Sequence, residues 1–232
     1  MDNNIKNNSF ILTPSLICLN MLKLKEQIAI LEGLGVTSIH IDILDGYFSP
    51  SMPLGFEIVS QLRKITQMDF NCHVMAESPE WFVDKLLNIG VQEIIFHVET
   101  AKHIDAMINH IHSFGVHAGL ALKPSTSLSV LDYELEKCDA ILLMQINPGY
   151  ASDKNEGKVP YAGRKIQELR QMVNKRNLNT KIIIDGRVSV CDIESYGKGI
   201  VDEFVIGSTC MEKNHLNESI MRLNRLREMI CS

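Results

Sequence analysis

The segment Ser38-Ile39-His40-Ile41-Asp42-Ile43-Leu44 alternates three isoleucines with serine, histidine, aspartate and leucine. This period of two is typical of a β-strand, whose successive side chains point to opposite faces. His40, Asp42 and Leu44 then share one face, and the three isoleucines share the other. The segment is therefore predicted to be a strand that carries a polar pair on a single face.

Runs similar to residues 38–44 recur along the whole chain, and each is followed by a longer amphipathic stretch. The strand candidates are FILTPSL from Phe10, SIHIDIL from Ser38, FNCHVM from Phe70, EIIFHVE from Glu93, AGLALK from Ala118, AILLMQI from Ala140, KIIID from Lys181 and EFVIG from Glu203. The helix candidates are LKLKEQIAILEGLG from Leu22, GFEIVSQLRKI from Gly55, PEWFVDKLLNIG from Pro79, AKHIDAMINHIHSFG from Ala101, SVLDYELEKC from Ser129, YAGRKIQELRQMV from Tyr161, VCDIESYGKG from Val190 and LNESIMRLNRLREMI from Leu216.

Eight βα repeats in 232 residues predict one domain, a (β/α)8 TIM barrel, whose typical length is roughly 250 residues. The alternative is an open doubly wound sheet. A dinucleotide-binding sheet of that type carries G-x-G-x-x-G after an early strand, and this sequence has none, which favours the closed barrel. We expect residues 1–232 to form this domain, with residues 1–8 as a flexible N-terminal tail.

Composition excludes several classes of protein. With 45% hydrophobic and 22% charged residues, the chain is neither disordered nor of low complexity. It has 23 Lys and Arg against 28 Asp and Glu and no basic runs, so we expect no nucleic-acid partner. No apolar run approaches the roughly 20 residues of a membrane helix, and the polar start predicts a cytoplasmic protein without membrane partners. Six cysteines without CxxC spacing fit thiols in a reducing compartment.

Polar residues at three predicted strand ends indicate a metal site. His40 and Asp42 share a face of strand two, His73 lies at the end of strand three, and Asp185 ends strand seven. In a TIM barrel these ends meet at the C-terminal rim, where catalysis occurs. Two imidazoles and two carboxylates could hold one divalent Zn, Fe(II), Mn or Co ion. The alternative is that the histidines are hydrogen-bonded core residues and the acids cap loops.

The two acids also suggest a reaction. Asp42 and Asp185 come from strands far apart in the ring, so they could approach one carbon from opposite sides. One acid would remove a proton and the other would return one, with inversion of configuration. A bound metal would stabilise the charge of the enediolate. Met75 and Met144 could keep water from the carbanion, or could be core residues.

Glycines that follow the last three strands suggest an anion site. Gly149, Gly186 and the pair Gly207-Ser208 stand where TIM barrels often bind phosphate through backbone N–H groups. The same glycines could also form tight turns only.

With these segments in view, the sequence resembles the ribulose-phosphate 3-epimerase family from Pro14 to about Met211. The matching segments are TPSLICL at Thr13, HIDILDGYFSP at His40, NCHVMAESPE at Asn71, FHVET at Phe96, LALKPST at Leu120, LLMQINPGY at Leu142, IIIDGR at Ile182 and FVIGS at Phe204. The resemblance implies a ribulose-phosphate-binding barrel and an isomerase that acts on a phosphorylated ketose, forms a homo-oligomer (dimer or hexamer) and binds one divalent metal ion per chain. It implies as metal ligands His40, Asp42, His73 and Asp185, as the acid/base pair Asp42 and Asp185, and as substrate-binding residues Ser15, Met75, Met144, Gly149, Gly186, Arg187, Gly207 and Ser208.

Departures from the family pattern lie at the substrate end. Leu44 replaces the usual methionine, Asp153 stands in a loop that usually offers glycine and glutamine amides, and Arg187 replaces a glycine. Arg187 could pair with the phosphate or could point to solvent. PSLICLNMLKLKEQI and His97-Val98-Glu99-Thr100 are more similar to the D-allulose-6-phosphate 3-epimerase branch than to the pentose-phosphate enzymes.

Two other functions remain open from the sequence. The altered phosphate loop fits a catalytically inactive barrel that binds a sugar phosphate. The second alternative is a related sugar-phosphate lyase. An aldolase of this kind often needs a Schiff-base lysine, and Lys123 lies at the end of strand five. Its neighbours Pro124, Ser125 and Thr126 match the epimerase pattern, in which this lysine has no covalent role.

Overall fold

The computed structural model describes residues 10–151, 153–212 and 214–232. The tail expected at residues 1–8 lies outside the described residues. The strands are β1 Ile11–Pro14, β2 Ser38–Leu44, β3 Asp69–Met75, β4 Glu93–His97, β5 His117–Leu122, β6 Ala140–Met144, β7 Lys181–Asp185 and β8 Glu203–Ile206. The α-helices are α1 Leu24–Gly33, α2 Phe56–Arg63, α3 Pro79–Ile89, α4 Ile104–Ser113, α5 Ala162–Lys175, α6 Val190–Tyr196 and α7 Leu216–Cys231.

The eight strands form one parallel sheet that closes on itself. Their order is β1-β8-β7-β6-β5-β4-β3-β2, and every pairing is parallel. A parallel bridge between Ser15, just after β1, and His40 of β2 joins the two ends of this order. The predicted TIM barrel is confirmed, and all strand C-termini meet at one rim.

The two faces of each strand enter different cores. Ile39, Ile41 and Ile43 of β2 are buried in the large core between the strands and the helices. A smaller core fills the barrel interior, and it consists of Ile95, Ala121, Ala140, Leu142, Met144, Ile146, Ile183 and Val205. His40 and Asp42 are also buried, on the face opposite the isoleucines. The predicted inward orientation of this pair is thus confirmed.

The connection between β5 and β6 differs from the prediction. A helix was expected over SVLDYELEKC from Ser129, but the structure has two short 3-10 turns, Leu128–Leu131 and Leu135–Lys137. Each turn buries a single residue, Leu131 or Leu135, so only a short apolar face packs against the barrel, too little to hold an α-helix there. The Ser127 hydroxyl accepts the N–H of Ser129 and favours a local turn instead.

A second group of polar side chains, besides His40 and Asp42, lies at the N-terminal end of the strands, opposite the rim where the strand C-termini meet. Lys181 Nζ donates to Glu93 at 2.9 Å and to Glu203 at 2.6 Å. Glu203 Oε1 also accepts from Thr13 at 2.7 Å and from Asn71 at 2.6 Å. We call these five residues the lower polar network; it joins strands β1, β3, β4, β7 and β8.

No helix among the described residues has both the length and the apolar character needed to cross a bilayer.

Candidate active site

A cavity of about 240 Å³ opens at the C-terminal rim of the barrel. Among the predicted site residues, those that line it are Ser15, Asp42, Met75, Met144, Gly149, Asp185, Gly186, Arg187, Gly207 and Ser208. His40 and His73 are fully buried beside the two acids. Every predicted site residue therefore lies in or next to this one cavity.

Four side chains from three strands converge beneath the cavity. His40 and Asp42 come from β2, His73 from β3 and Asp185 from β7. His40 Nε2 lies 3.3 Å from Asp42 Oδ1 and 3.8 Å from Asp185 Oδ2. His73 Nδ1 lies 3.6 Å and 3.7 Å from the same two oxygens. We call these four residues the His/Asp cluster.

The His/Asp cluster fits a divalent metal ion. Its four ligand atoms lie within 4.8 Å of one another, and they are the nitrogen and oxygen donors that such ions accept. His40 Nε2 and His73 Nδ1 are buried and have no hydrogen-bond partner among the described residues, an arrangement that costs free energy unless a ligand satisfies them.

The second oxygen of each acid is held in place. Asp42 Oδ2 accepts the hydroxyl of Ser15 at 2.9 Å, and Asp185 Oδ1 accepts the N–H of Gly186 at 2.6 Å. Each carboxylate thus directs one oxygen to the cluster and offers the other to a fixed donor.

The charges of the cluster attract a cation. Burial alone would lower the pKa of His40, but the negative charges of Asp42 and Asp185 raise it to about 9. Burial opposes ionisation of Asp42, yet His40 and His73 hold its pKa well below the usual range. Asp42 is therefore an anion in the absence of any metal, as a base or a metal ligand must be.

Two residues beside the cluster were missed as site residues in the sequence. His97, at the end of β4, has Nε2 at 3.0 Å from His73 Nε2 and Nδ1 at 2.8 Å from Glu99 Oε2. Burial lowers the pKa of His97 to about 4, so its ring is neutral at neutral pH. Burial raises the pKa of Glu99, but its hydrogen bonds with His97, Thr126 and Lys123 lower it to about 2. A histidine at the end of another strand was the signal that could have found this pair.

Apolar side chains form one wall of the cavity. Met75 ends β3, Met144 ends β6, and both are buried. Leu44, which replaces the usual family methionine, is buried beside them in the lining. One part of the cavity lining is thus apolar. The lining residues that the sequence did not single out are Ile17, Cys18, Ser51, Pro53, Ile146, Ala151, Val205 and Thr209.

Two of the predicted anion-binding glycines have steric reasons to be glycine. Gly149 has φ +81°, and a Cβ there would lie 1.7 Å from Ser49 Oγ. Gly186 has φ +93°, and a Cβ there would lie 2.7 Å from Ile146 Cγ1. Both backbones can approach a ligand closely because neither residue carries a side chain.

Arg187 lies in the lining, and its guanidinium contacts the loop after β6. Nη2 donates to the carbonyl of Asp153 at 2.5 Å and to that of Ala151 at 3.3 Å. Nε is buried without a hydrogen-bond partner among the described residues. The φ of Arg187 is +53°, a left-handed conformation that favours the glycine usual in the family.

Lys123 does not line the cavity. Its Nζ lies 4.0 Å from the centre of the Phe48 ring, in a cation–π contact. This position does not support a Schiff base with a substrate in the cavity.

Comparisons with known proteins agree with this geometry. A model of the ribulose-phosphate 3 epimerase family matches residues 11–211. The chain is 31% identical to the ribulose-phosphate 3-epimerase of Buchnera aphidicola subsp. Schizaphis graminum, over 93% of this chain and 94% of the relative. It is 30% identical to the chloroplastic ribulose-5-phosphate-3-epimerase of Arabidopsis thaliana, over 92% of this chain and 75% of the relative.

Solved structures share the fold at low identity. A mutant tryptophan synthase alpha-subunit from Pyrococcus furiosus aligns with a TM-score of 0.64 and 14% identity, over 97% of this chain and 98% of that one. Thiamine phosphate pyrophosphorylase from Pyrococcus furiosus aligns with a TM-score of 0.64 and 16% identity, over 99% and 100%. These likenesses support the TIM barrel alone. The match to the epimerase model and the named relatives confirm the predicted isomerase class, and this chain belongs to the ribulose-phosphate 3-epimerase family.

Proposed function

We propose that this protein is a metal-dependent ketose-phosphate 3-epimerase that inverts C3 through an enediolate. The observation that carries the proposal is the placement of Asp42 and Asp185. They come from β2 and β7, line the same cavity, and share the His/Asp cluster beneath it. In the strand order β1 and β8 separate these two strands, so the acids stand on different sides of the cavity.

The two acids exchange protons with C3 of the substrate. One carboxylate removes the C3 proton, and the other delivers a proton to the opposite face. The oxygens suited to this step are Asp42 Oδ2 and Asp185 Oδ1, because the other oxygen of each acid points into the cluster. Ser15 and the Gly186 N–H orient the two reacting oxygens. The acids exchange roles when the reaction runs in reverse.

The His/Asp cluster holds the divalent ion in this proposal, with His40, Asp42, His73 and Asp185 as ligands. When bound, the ion supplies positive charge that stabilises developing negative charge on the sugar oxygens. His40 and His73 would supply neutral imidazole nitrogens as ligands, and Asp42 and Asp185 would supply carboxylate oxygens.

Other cavity residues bind the substrate and exclude water. Met75 and Met144 pack against the face of the enediolate. The phosphate binds near Gly149, Gly186, Gly207 and Ser208, with Arg187 beside it. The Gly186 N–H already donates to Asp185, so this residue contributes mainly by allowing close approach.

The substrate pair is D-allulose 6-phosphate and D-fructose 6-phosphate, or D-ribulose 5-phosphate and D-xylulose 5-phosphate. The sequence similarity of residues 14–28 to the allulose branch favours the six-carbon pair, whereas the relatives described above are named for ribulose phosphate. The metal's identity, the cytoplasmic location and a dimeric or hexameric state stay predictions.

The two alternative functions have less support. An inactive binding protein has no need of four metal-type donor atoms within 4.8 Å of one another, yet the His/Asp cluster keeps them. A Schiff-base lyase needs a lysine in the cavity, and Lys123 lies outside its lining.

Parallel assays test the proposed function. Metal-loaded protein is incubated with ribulose 5-phosphate and with allulose 6-phosphate in deuterated water, and the C3 epimers are followed by NMR. We expect one substrate to be epimerised with the higher kcat/KM and its product to carry deuterium at C3, because the acids exchange with solvent. Chelation should abolish turnover. Turnover that persists without metal, or retention of all substrate hydrogen, would contradict the mechanism.

A further inference from the structure

We propose that His97 and Glu99 are positioning residues that direct the Nδ1 lone pair of His73 at the metal. This inference rests on the proposed function, because it assigns a role beside the metal site. Neither residue is part of the cavity lining, so we place neither in contact with the substrate. Their effect passes through His73.

The three side chains form a continuous hydrogen-bonded chain, which we call the Glu99–His97–His73 relay. The centroids of the His73 and His97 rings are 5.0 Å apart, and the ring planes are inclined by 30°. Both rings are completely buried, and their Nε2 atoms are 3.0 Å apart. Glu99 Oε2 then lies 2.8 Å from His97 Nδ1. Water has no access to either ring, so these partners determine which nitrogens carry hydrogen.

The direction of the relay follows from the chemistry of its end. An ionised carboxylate only accepts hydrogen bonds, so His97 Nδ1 must carry the hydrogen that Glu99 accepts. In a neutral ring His97 Nε2 is then an acceptor, and the hydrogen between the two rings belongs to His73 Nε2. A neutral His73 ring therefore has a bare lone pair on Nδ1. That is the nitrogen that faces Asp42 and Asp185 without a hydrogen-bond partner.

The other oxygen of Glu99 makes the relay open to a sharp test. Oε1 accepts the backbone N–H of Lys123 at 2.8 Å and the hydroxyl of Thr126. A backbone N–H can only donate, so in Glu99→Gln the amide oxygen has to occupy this position. The amide NH2 group then faces His97 Nδ1 and donates to it. The relay is reversed, and the hydrogen on His73 moves to Nδ1, where it blocks the metal.

The experiment measures the affinity of metal-free protein for Co(II) by competition with a chelator. Outer partners of metal-bound histidines typically change metal affinity by about 10- to 100-fold. We expect Glu99→Gln to raise the Kd for Co(II) by that factor and to alter the visible absorption of the bound ion. The urea midpoint of metal-free Glu99→Gln should stay close to that of the wild type. If Glu99 had only a structural role, the variant would lose stability as well as metal affinity.

A matched control is Asp139→Asn. Asp139 Oδ2 also accepts from a histidine, His112 at 2.8 Å, and from the N–H of Ala118, but it lies outside the His/Asp cluster. This variant should leave the Kd for Co(II) unchanged. His97→Phe, which keeps a ring but removes the acceptor for His73, should weaken Co(II) binding as Glu99→Gln does.

The possible outcomes separate this proposal from the proposed function. Wild-type protein that binds no Co(II) would overturn the metal site and the relay together. If the wild type binds Co(II) and both Glu99→Gln and His97→Phe have the same Kd as the wild type, the relay alone is overturned. Should the variants not fold, nitrogen NMR of the zinc-loaded wild-type protein decides: hydrogen on Nδ1 of His97 supports the relay, and hydrogen on Nε2 of His97 overturns it.

Discussion

In the proposed mechanism Asp42 and Asp185 each have two functions, as a metal ligand and as an acid or base. One oxygen of each acid faces the imidazoles of the cluster at 3.3 to 3.8 Å. The other oxygen is oriented by Ser15 or by the Gly186 N–H. This geometry fits the proposed dual role, in which each acid binds a metal and moves a proton without changing its conformation.

Replacing either acid by asparagine tests this arrangement. Asp42→Asn and Asp185→Asn should each lower kcat by about 10²- to 10⁴-fold, because the proton then has no acceptor on one face of C3. Kinetics with either ketose phosphate, together with metal analysis of the purified variant, check this. The surface variant Asp84→Asn serves as the control. Near-normal turnover of Asp185→Asn with a full complement of metal would show that another group supplies the proton.

The backbone of Arg187 is strained, and its side chain makes hydrogen bonds to a neighbouring loop. A non-glycine residue with positive φ costs on the order of 1 kcal/mol or more, and the φ of Arg187 is +53°. Its guanidinium binds the carbonyls of Ala151 and Asp153 in the loop beside the predicted phosphate position. A strained residue with such contacts in a cavity lining is a candidate for ligand binding.

Arg187→Gly should therefore affect binding and stability in opposite directions. A charge-assisted hydrogen bond is worth roughly 1.5 to 3 kcal/mol, so KM for the phosphorylated ketose should rise by about tenfold to a hundredfold. The thermal midpoint should stay equal or rise, since glycine relieves the strain. The KM of Arg187→Lys, which keeps the charge, should lie between that of the wild type and that of Arg187→Gly. An unchanged KM with constant metal content would place the guanidinium outside the phosphate site.

At the scale of elements, the loop after β2 supports the loop after β6. Asp45 Oδ1 accepts the N–H of Phe48 at 2.8 Å, and Asp45 Oδ2 accepts that of Glu77 at 2.8 Å, which orders the first loop. Ser49 of this loop packs directly against the backbone of Gly149 in the second. The position of the Gly149 backbone, which we propose binds the phosphate, thus depends on two loops that are far apart in sequence.

Gly149→Ala tests this contact between loops. The added methyl would overlap Ser49 Oγ and force alanine into positive φ, so we expect a loss of stability of about 1 to 3 kcal/mol and a higher KM. The double variant Gly149→Ala with Ser49→Gly should recover part of the loss, because it removes the overlap and leaves only the backbone strain. Thermal unfolding and steady-state kinetics of both variants and of Ser49→Gly measure this. A double variant no better than the single one would contradict the steric account.

At the scale of the whole molecule, the barrel has two polar ends with an apolar interior between them. The rim holds the His/Asp cluster, and the other end holds the lower polar network. Lys181 there donates to two buried carboxylates, Glu93 and Glu203, on different strands. The lysine neutralises charge that the interior cannot solvate, so we assign this end to stability.

Lys181→Met should destabilise the barrel and leave the metal site intact. Breaking a buried ion pair from one side costs roughly 3 to 5 kcal/mol, because the remaining charge is left without a partner. Urea unfolding near neutral pH measures this, and the loss should shrink at acidic pH as the glutamates become protonated. Lys137→Met, which removes an exposed partner of Asp105, is the control and should change little. An equal effect of the two variants would show that the network contributes no special stability.

Local patterns were sufficient for much of the fold and of the candidate site. The alternation in residues 38–44 follows from the pleat of a single strand, so it predicted the inward side of His40 and Asp42 without any tertiary contact. Parallel strands all end at one rim, and this placed His73 and Asp185 near the same pair. The absence of an α-helix between β5 and β6 could not be predicted, because it depends on how few side chains of this segment are buried against the barrel.

The tertiary structure alone decided the contacts between distant parts of the chain. The hydrogen bond from His73 to His97 joins strands through side-chain geometry that no spacing records. The packing of Ser49 on Gly149 likewise depends on how two loops meet. Arg187 could be recognised as unusual from its residue type, but its positive φ and its loop contacts required coordinates. Periodicity reports which face a residue occupies, whereas closure of the barrel sets the distances between faces.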